Sequence, residues 1–427
     1  MKNRKALALI AILALVAAAC GGSDGGSDEA VVEVETTEAP ATTEAPTTTA
    51  APAPASDPLI LASLMPLSGD LASLGPGIAL GAALAVEQIN AAGGINGQPV
   101  QLIEGDSGCD GAVALTSLND VIAQGAQGVM GAACSGTSLA ILDTAIAAEV
   151  VMVSPSNTSP QFTKIDKKGF YARTAPSDLL QGDVLASLLV EDGVQTVSII
   201  SRADSYGRGL AEATAAAFEA AGGTVKTIVY HATDASEFTS EVTAVGKGGA
   251  DAIVGILFPE TGCGVLQPAF EQGLLDTPWY MTDGVKDAGL ASLCGLGTAL
   301  DGFKGTAPGS AAGEAKDAFE AAYAEVSADG SPTFIFAPQA YDAVMLMAIS
   351  AAANGVTGPE IASGLVAASS GGEKCIGVAC IALAADGVDV DYVGASGEIE
   401  LDAVGDPTAA TYDIWTTEGD TNLFLNQ

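Results

Sequence analysis

Four side chains able to form hydrogen bonds follow an apolar run in the first half of the chain. The run AIAAEVVM has the composition of a buried strand, and the segment after it supplies Ser154, Ser156, Asn157 and Thr158 before Pro160. Hydroxyl and amide groups donate and accept hydrogen bonds without carrying charge. A core strand that ends in this way favours a site for a small polar molecule.

A second hydroxyl-rich segment, residues 135–138, lies between the strand-like GVMGAA and a helical stretch. The first N–H groups of a helix point outward and hold a carboxylate without a full positive charge. Helix capping would also explain each of these residues taken singly. Ligands of open parallel sheets bind outside the carboxyl ends of the strands. Two neighbouring hydroxyl-rich strand ends therefore predict one half of a binding cleft.

The elements that position these residues alternate between strand and helix. In the first long helical stretch Ile78, Ala82 and Ile89 recur at helical spacing, and Gly93-Gly94 stops the helix. The strand-like segments form two successive runs, LILASLMPL, PVQLIEGDS, GVMGAA and VVMVSPS, then QTVSIISR, TVKTIVYH, DAIVGILF and PWYMTD. This rhythm predicts two α/β lobes, each with a parallel sheet covered on both faces.

The first 58 residues are read separately from these lobes. Residues 1–20 have the layout of a secretory signal peptide, with three basic residues, the apolar stretch Ala6–Ala19 and then Cys20. The small residues before Cys20 resemble a bacterial lipobox and predict a lipid on this cysteine; an uncleaved anchor and an ordinary cleaved signal are the alternatives. Residues 21–58 are rich in Gly, Ser, Thr, Pro, Ala and Glu, and predict a disordered tether.

The composition is strongly acidic, with 52 Asp and Glu against 15 Lys and Arg and a net charge of −37. Such a field repels nucleic acid and disfavours an anionic ligand whose charge is not locally compensated. A saline habitat is an alternative cause of an acidic surface. No nucleic-acid partner is expected.

Six cysteines remain besides Cys20. An even set in an exported chain predicts three disulfides, for which 15 pairings are possible. Proximity in the sequence favours Cys109–Cys134, Cys263–Cys294 and Cys375–Cys380. The chain has one histidine, His231, and no CxxC pair, so neither a metal site nor a thiol enzyme is expected.

Motifs for other activities do not match. The segment GPGIALG has the wrong spacing for a dinucleotide loop, and helix packing explains its glycines better. No GxxxxGK[ST] segment occurs, so the chain does not power transport itself. A serine hydrolase would need a base near Ser135, and His231 belongs to the other lobe. No cofactor and no enzymatic activity are expected.

Several segments, specific in combination and in the right order, resemble the leucine/isoleucine/valine-binding protein family, the type I periplasmic solute-binding proteins of ABC importers. They include MPLSGDLASLGPGIALGAALAVEQINAAGGINGQPVQL, GVMGAACSGTSLAILDTAIAAEVVMVSPSNTSPQFT, SRADSYGRGLAEA, YHATDASEFTSEV and AYDAVMLMAISAA. The resemblance implies a Venus-flytrap fold, in which three crossover strands, near Pro176, Pro308 and Glu398, join two Rossmann-like lobes. The implied lobes are 59–176 plus 309–398 (lobe 1) and 177–308 plus 399–427 (lobe 2).

The resemblance also implies roles for the hydroxyl-rich segments of lobe 1. The family's carboxylate-binding serine follows a disulfide-bonded cysteine, which matches Ser135 and supports the pair Cys109–Cys134. Its next loop matches Ser156, Asn157 and Thr158, where a main-chain carbonyl and the Thr158 hydroxyl and N–H would hold the backbone part of an amino acid.

In lobe 2 the resemblance implies two further contacts. Tyr206 in DSYG matches the family's closing tyrosine, and Asp283 in MTDG falls where the family has an acid that pairs with the ligand ammonium. Leu74 stands where the leucine binder has a tryptophan, and Leu257 and Phe258 stand where it has an aromatic pair. These departures predict an aliphatic pocket and leave leucine itself open as the ligand.

Together these features imply an extracytoplasmic, lipid-anchored, monomeric solute-binding protein of a bacterial ABC importer. It is expected to capture a small zwitterion, such as a branched-chain or other apolar amino acid, by lobe closure. Its expected partners are this ligand, the permease subunits and the membrane through its N-terminal lipid. A receptor of the same fold for amides or urea, or a sensory ligand-binding module, is the alternative.

Overall fold

The computed structural model describes residues 57–425. The predicted signal peptide, Cys20 and the predicted tether up to residue 56 lie outside the described residues, and they remain predictions. Among the described residues, no helix is both long enough and apolar enough to cross a membrane.

The first sheet carries both hydroxyl-rich segments. Its strands are β1 (Ile60–Met65), β2 (Gln101–Asp106), β3 (Gly128–Gly131), β4 (Val151–Ser154) and β5 (Tyr171–Arg173). They are all parallel and lie in the order β2-β1-β3-β4-β5. Every residue of β3 and β4 is buried, as in sheets covered on both faces. Because β3 and β4 are neighbours, the segments that follow them meet at one edge of the sheet.

The second sheet combines parallel strands with an antiparallel hairpin. Its strands are β6 (Thr196–Arg202), β7 (Thr224–His231), β8 (Ala252–Ile256), β9 (Trp279–Met281), β10 (Lys304–Pro308), β14 (Tyr412–Glu418) and β15 (Thr421–Phe424). Strands β6 to β10 pair in parallel, whereas β14 and β15 join the edge beside β10 antiparallel. The predicted α/β class with two parallel-sheet lobes is confirmed.

A third, small sheet completes the strands, and helices cover the two large sheets. The small sheet consists of β11 (Glu373–Ile376), β12 (Val390–Gly394) and β13 (Gly397–Glu398). The helices are α1 (Gly75–Ala91), α2 (Gly111–Ala123), α3 (Ser135–Ala147), α4 (Gln161–Lys164), α5 (Asp178–Glu191), α6 (Ser205–Ala220), α7 (Thr239–Gly246), α8 (Pro259–Glu271), α9 (Leu290–Leu293), α10 (Glu314–Val326), α11 (Ala337–Asn354), α12 (Gly358–Gly364) and α13 (Ala379–Ala385).

Helix α11 is buried along nearly its whole length and packs against α1. The two helices approach closely at Gly81, where an added Cβ would lie 2.2 Å from the Ala337 carbonyl oxygen. The buried face of α1 contains Ile78, Ala82 and Ile89. This confirms the buried face that their helical spacing predicted. The start of α1 lies beside the end of β1.

Three disulfides join the pairs that proximity in the sequence favoured. Cys109–Cys134 links the loop after β2 to the residue before α3. Cys263–Cys294 links α8 to the end of α9, and Cys375–Cys380 links β11 to α13. The first bridge has the greatest consequence for function, because it holds the turn that carries Ser135.

The chain crosses between the two large sheets after β5, after β10 and before β14. The second and third crossing segments are joined, because the Gly309 N–H donates a hydrogen bond to the Thr411 carbonyl oxygen at 2.8 Å. The two segments therefore form a short ribbon between the lobes.

The third crossing segment stays with the first sheet beyond its predicted boundary. The Arg173 N–H donates to the Gly405 carbonyl oxygen at 3.0 Å, and the Arg173 guanidinium pairs with Asp406 at 2.7 Å. We therefore propose lobe boundaries near Pro176 and Pro308, as the sequence predicts, and a third boundary after Asp406 in place of Glu398.

Candidate functional site

Ser135 begins α3 in the turn that the Cys109–Cys134 disulfide holds. Its side chain is buried, and its Oγ accepts a hydrogen bond from the Ser159 N–H at 3.4 Å. Ser138 is used differently, since its Oγ donates to a carbonyl of the preceding turn at 3.1 Å. Ser135 therefore faces the neighbouring loop, whereas Ser138 stabilises the turn itself.

The loop after β4 is shaped by its own side chains. Asn157 Nδ2 donates to the carbonyl oxygens of Ala132 and Ala133 at 3.0 and 2.7 Å, and Asn157 Oδ1 accepts a hydrogen bond from the Tyr171 hydroxyl at 2.9 Å. Ser156 Oγ donates to the Ala133 carbonyl at 3.1 Å. Because its amide is used within lobe 1, Asn157 supports the shape of the loop, and its predicted ligand contact stays a prediction.

Thr158 lies beside these residues and is fully buried. Its Oγ1 faces the Asp178 carboxylate, and this contact opposes the rise that burial causes in the pKa of that acid. Its carbonyl oxygen accepts the N–H of Asp178 at 2.8 Å.

Asp178 is a site residue that the sequence reasoning missed. It begins α5 just after the predicted crossing at Pro176, and it is fully buried. Its carboxylate faces the Thr158 hydroxyl, whose contact only partly offsets the effect of burial on the pKa. Burial raises the pKa of Asp178 well above its usual range, and the negative charge of Asp283 raises it further. An acid directly after a crossing strand is the signal that was available.

Tyr206 and Asp283 meet in the second lobe. Tyr206 is the second residue of α6, and Asp283 opens a short 3-10 turn after β9. The Tyr206 hydroxyl donates to Asp283 Oδ1 at 3.0 Å and lies 2.9 Å from Thr282 Oγ1. Gln181 Nε2, which the sequence reasoning also missed, donates to Asp283 Oδ1 at 2.8 Å. Burial raises the pKa of Asp283 to about 6, although these hydrogen bonds oppose the rise.

A small cavity between the lobes collects Ser135, Ser156, Tyr206 and Asp283. The centres of water-sized spheres can occupy about 20 Å³ of it. Its walls are Leu71, Leu74, Ile78, Ala133, Ser135, Ser156, Tyr206, Phe258, Asp283, Gly284 and Phe336. This volume is far below that of an amino acid, so any such ligand requires the lobes to separate first.

Six of the eight predicted site residues line this cavity, namely Leu74, Ser135, Ser156, Tyr206, Phe258 and Asp283. The structure thus brings together predicted residues from both lobes. Asn157 and Thr158 lie behind the wall, next to Ser156. Leu71, Ile78 and Phe336 are lining residues that the sequence reasoning missed, because single apolar residues look like ordinary core.

A larger cavity of about 590 Å³ lies beside the crossing segments and shares Phe336 with the first. Its charged groups already pair with one another, as Lys286 does with Asp413 at 3.3 Å and Lys316 with Glu320 at 3.5 Å. The smaller cavity is the better candidate, because it combines hydroxyls, acids and apolar side chains from both lobes.

One buried acid, Asp283, lines the smaller cavity, and a second, Asp178, lies close enough that the charge of Asp283 raises its pKa. Asp178 and Asp283 are both almost completely buried, and neither takes part in an ion pair within residues 57–425. Buried carboxylates without a cation favour either a proton or a positively charged guest. The same described residues contain no group of three or more His, Cys, Asp or Glu arranged to hold a metal ion.

Comparison with known proteins places this geometry in context. Residues 58–374 match the profile of the family described as periplasmic binding proteins. A curated amino acid binding protein of Pseudomonas aeruginosa is 34% identical over 238 residues, which cover 54% of this chain and 62% of that protein. A leucine-, isoleucine-, valine-, threonine- and alanine-binding protein of the same organism is 29% identical over 69% of this chain and 78% of its own.

Solved structures share the fold at lower identity. The branched-chain amino acid transporter substrate binding protein LivJ of Streptococcus pneumoniae, in complex with isoleucine, has a TM-score of 0.71 at 23% identity and covers 86% of this chain and 98% of its own. A solute binding protein of R. palustris in complex with benzoate has a TM-score of 0.70 at 18% identity, covering 86% and 96%. The predicted family and fold are confirmed, and the relatives are binding proteins, in agreement with the prediction of a non-enzymatic receptor.

Proposed function

Because this chain belongs to the periplasmic binding protein family, we propose that it captures an α-amino acid with an apolar side chain between its two lobes and presents it to an ABC importer. One observation carries the proposal: Ser135 at a helix start in lobe 1 and the buried acid Asp283 of lobe 2 line the same cavity. An α-amino acid carries its carboxylate and its ammonium on one carbon atom, so a single small ligand can contact both.

The carboxylate of the ligand would bind at the start of α3. Ser135 Oγ and the first N–H groups of this 13-residue helix provide donors and a positive end of the helix dipole. The disulfide at Cys109–Cys134 keeps these donors in place before the ligand arrives. Preorganised donors reduce the ordering cost of binding.

The ammonium of the ligand would bind at Asp283, which lines the cavity from lobe 2, with Asp178 close enough for the charge of Asp283 to raise its pKa. These groups carry two potential negative charges and form no ion pair within the part of the chain that the structure describes. A buried ammonium would supply the missing positive charge. Micromolar affinity corresponds to about 8 kcal/mol, which paired charged hydrogen bonds can supply.

The side chain of the ligand would pack on apolar walls. Leu71, Leu74 and Ile78 come from lobe 1, and Phe258 stacks on Tyr206 from lobe 2 at a ring-centroid distance of 5.3 Å. These walls favour aliphatic side chains. A benzoate, which one structural neighbour binds, would bring a second negative charge beside Asp283 and is disfavoured here.

We also propose that Cys20 carries a lipid and that the segment after it tethers the receptor outside the cell membrane. The signal layout before Cys20 supports this role. Cys20→Ala is expected to leave the protein uncleaved or to shed it into the medium, as fractionation and mass spectrometry would detect. Normal processing with retention in the membrane would contradict the lipid anchor.

Calorimetric titration of the refolded protein tests the ligand class, because refolding removes any molecule that co-purifies. L-Leucine, L-isoleucine, L-valine and L-alanine form one arm, and benzoate, urea and acetamide form the other. We expect binding in the first arm alone. Binding of urea or acetamide without any amino acid would replace the proposal with the amide-receptor alternative.

A further inference from the structure

Asp70 of lobe 1 bonds two residues of lobe 2. Its Oδ1 accepts the Thr261 N–H at 2.8 Å, and its Oδ2 accepts the Thr261 hydroxyl at 2.9 Å. Asp70 also forms an ion pair with the Arg202 guanidinium. Nearby, the Ser73 N–H donates to Glu260 Oε1 at 2.9 Å. The loop between β1 and α1 is thus fastened to the start of α8 in the other lobe.

The loop that carries Asp70 is fixed within its own lobe. Asp106 Oδ1 accepts the N–H groups of Leu67 and Ser68 at 2.8 and 3.2 Å. Gly69 has φ +80°, and an added Cβ would lie 2.2 Å from the Gly108 carbonyl oxygen. Asp70 is therefore presented by a rigid loop, so that its bonds to lobe 2 can form when the lobes come together.

Arg202 connects this contact to the ligand cavity. Its side chain is 3% exposed, and its Nε donates to Asp204 at 2.9 Å. Its Cζ lies 3.8 Å from the centroid of the Phe258 ring. Phe258 in turn stacks on Tyr206, and both rings line the cavity.

We propose that Asp70 and Arg202 form an interlobe latch in which Arg202 acts as a positioning residue for Phe258 in the pocket wall; this rests on the proposed function. When the lobes separate, Arg202 keeps Asp204 and the Thr261 hydroxyl, at 3.1 Å, but loses the charge of Asp70. The guanidinium is then free to leave the Phe258 ring. Contacts made only in the closed form shift the opening equilibrium by their full free energy. The latch therefore sets the dissociation rate of the ligand. The Phe258 ring, which Arg202 positions, sets which ligand side chains fit the pocket.

Ligand-exchange kinetics test the latch. Asp70→Asn is expected to raise the dissociation rate of L-leucine about ten-fold and to leave the association rate nearly unchanged, because the lost bonds exist only after closure. The matched control Asp143→Asn removes the same charge from an exposed position on α3. Stopped-flow fluorescence gives both rates, and the melting temperature of each ligand-free variant checks its folding.

Arg202→Lys tests the positioning role, because lysine keeps the charge opposite Asp70 but not the planar group on Phe258. We expect the ratio of L-leucine to L-alanine affinity to fall about three- to ten-fold. The control Arg208→Lys removes a guanidinium that lies 4.2 Å from the Tyr230 ring within lobe 2, and it should keep the ratio. A purely structural role for Arg202 would lower both affinities equally.

Two results overturn the inference. An unchanged dissociation rate in Asp70→Asn removes the latch, and an unchanged affinity ratio in Arg202→Lys removes the positioning role. If the unmodified protein binds no amino acid, the proposed function fails instead. Distances between spin labels at exposed Asp120 and Glu219 then decide the latch, which requires a longer mean distance in Asp70→Asn.

Discussion

The Tyr206 hydroxyl lies 3.0 Å from the Asp283 carboxylate and donates a hydrogen bond to it, so this buried acid is met by a neutral donor and not by a cation. Gln181 adds a second neutral donor at 2.8 Å. Such donors stabilise the charge only in part, and the pKa of Asp283 stays raised, at about 6, because burial outweighs them. The Asp283 carboxylate therefore favours a positively charged partner, which would stabilise its ionised form.

Asp283→Asn is expected to weaken amino-acid binding by about 2–4 kcal/mol, because a buried ammonium would lose its counter-charge. Ser135→Ala should cost less, about 1–2 kcal/mol, since the helix N–H groups still hold the carboxylate. Calorimetry measures both losses, and thermal denaturation of the ligand-free variants checks that they fold normally. Unaltered affinity in Asp283→Asn would mean that the guest is not an α-amino acid.

Binding should depend on pH through Asp283. Its pKa of about 6 in the ligand-free fold should fall when an ammonium binds, so that binding releases a proton between about pH 5 and 6. Affinity is then expected to decrease as the pH falls through 6. Titrations in buffers of different ionisation enthalpy measure the proton release. The same titration of Asp283→Asn should show a smaller release, and an equal one would assign the proton elsewhere.

Asp178→Asn is expected to stabilise the ligand-free protein while it weakens binding. The folded pKa of Asp178 is raised above the unfolded value, so the free energy of unfolding falls as the pH rises above about 4. Replacing the acid should recover about 1–3 kcal/mol at neutral pH and almost nothing at pH 4. Melting temperatures at both pH values test this. Asp183→Asn, an exposed change on the same helix, should have no such effect.

Removing the Cys109–Cys134 disulfide should affect stability and binding together. The bridge joins residues 25 apart, and the chain-entropy relation gives a loss of about 3–4 kcal/mol in the free energy of unfolding. The double change Cys109→Ser and Cys134→Ser should also weaken amino-acid binding, because the turn before Ser135 is no longer held. Removing Cys375–Cys380, far from the cavity, is the control, and it should leave affinity unchanged.

The sequence predicted the parts of the molecule that follow from local patterns. Apolar strand segments and hydroxyl-rich strand ends indicated the first sheet and the edge where Ser135 and Ser156 meet, because parallel strands bring their carboxyl ends together. Tyr206 and Asp283 came from the family resemblance, since nothing local distinguishes them. The hairpin of β14 and β15 was missed because its alternation is only partly apolar.

Asp178, Gln181 and Phe336 escaped prediction for a different reason. Their surroundings are made by residues distant in the chain, such as Asp283 beside Gln181, 102 positions apart. An acid at a helix start is most simply explained by the helix dipole. Only the fold reveals that Asp178 is fully buried beside Thr158 and within reach of the charge of Asp283.

The hydrogen bond between Gly309 and Thr411 has a mechanical consequence. Two strands bonded edge to edge bend easily out of their common plane but resist shear within it. Arg173 ties the chain to lobe 1 as far as Asp406, and Tyr412 already belongs to the second sheet. Flexure of the third crossing segment is thus confined to the few residues between Asp406 and Tyr412. Opening and closing should follow a single rotation, so that the walls of the cavity meet in the same register at every cycle.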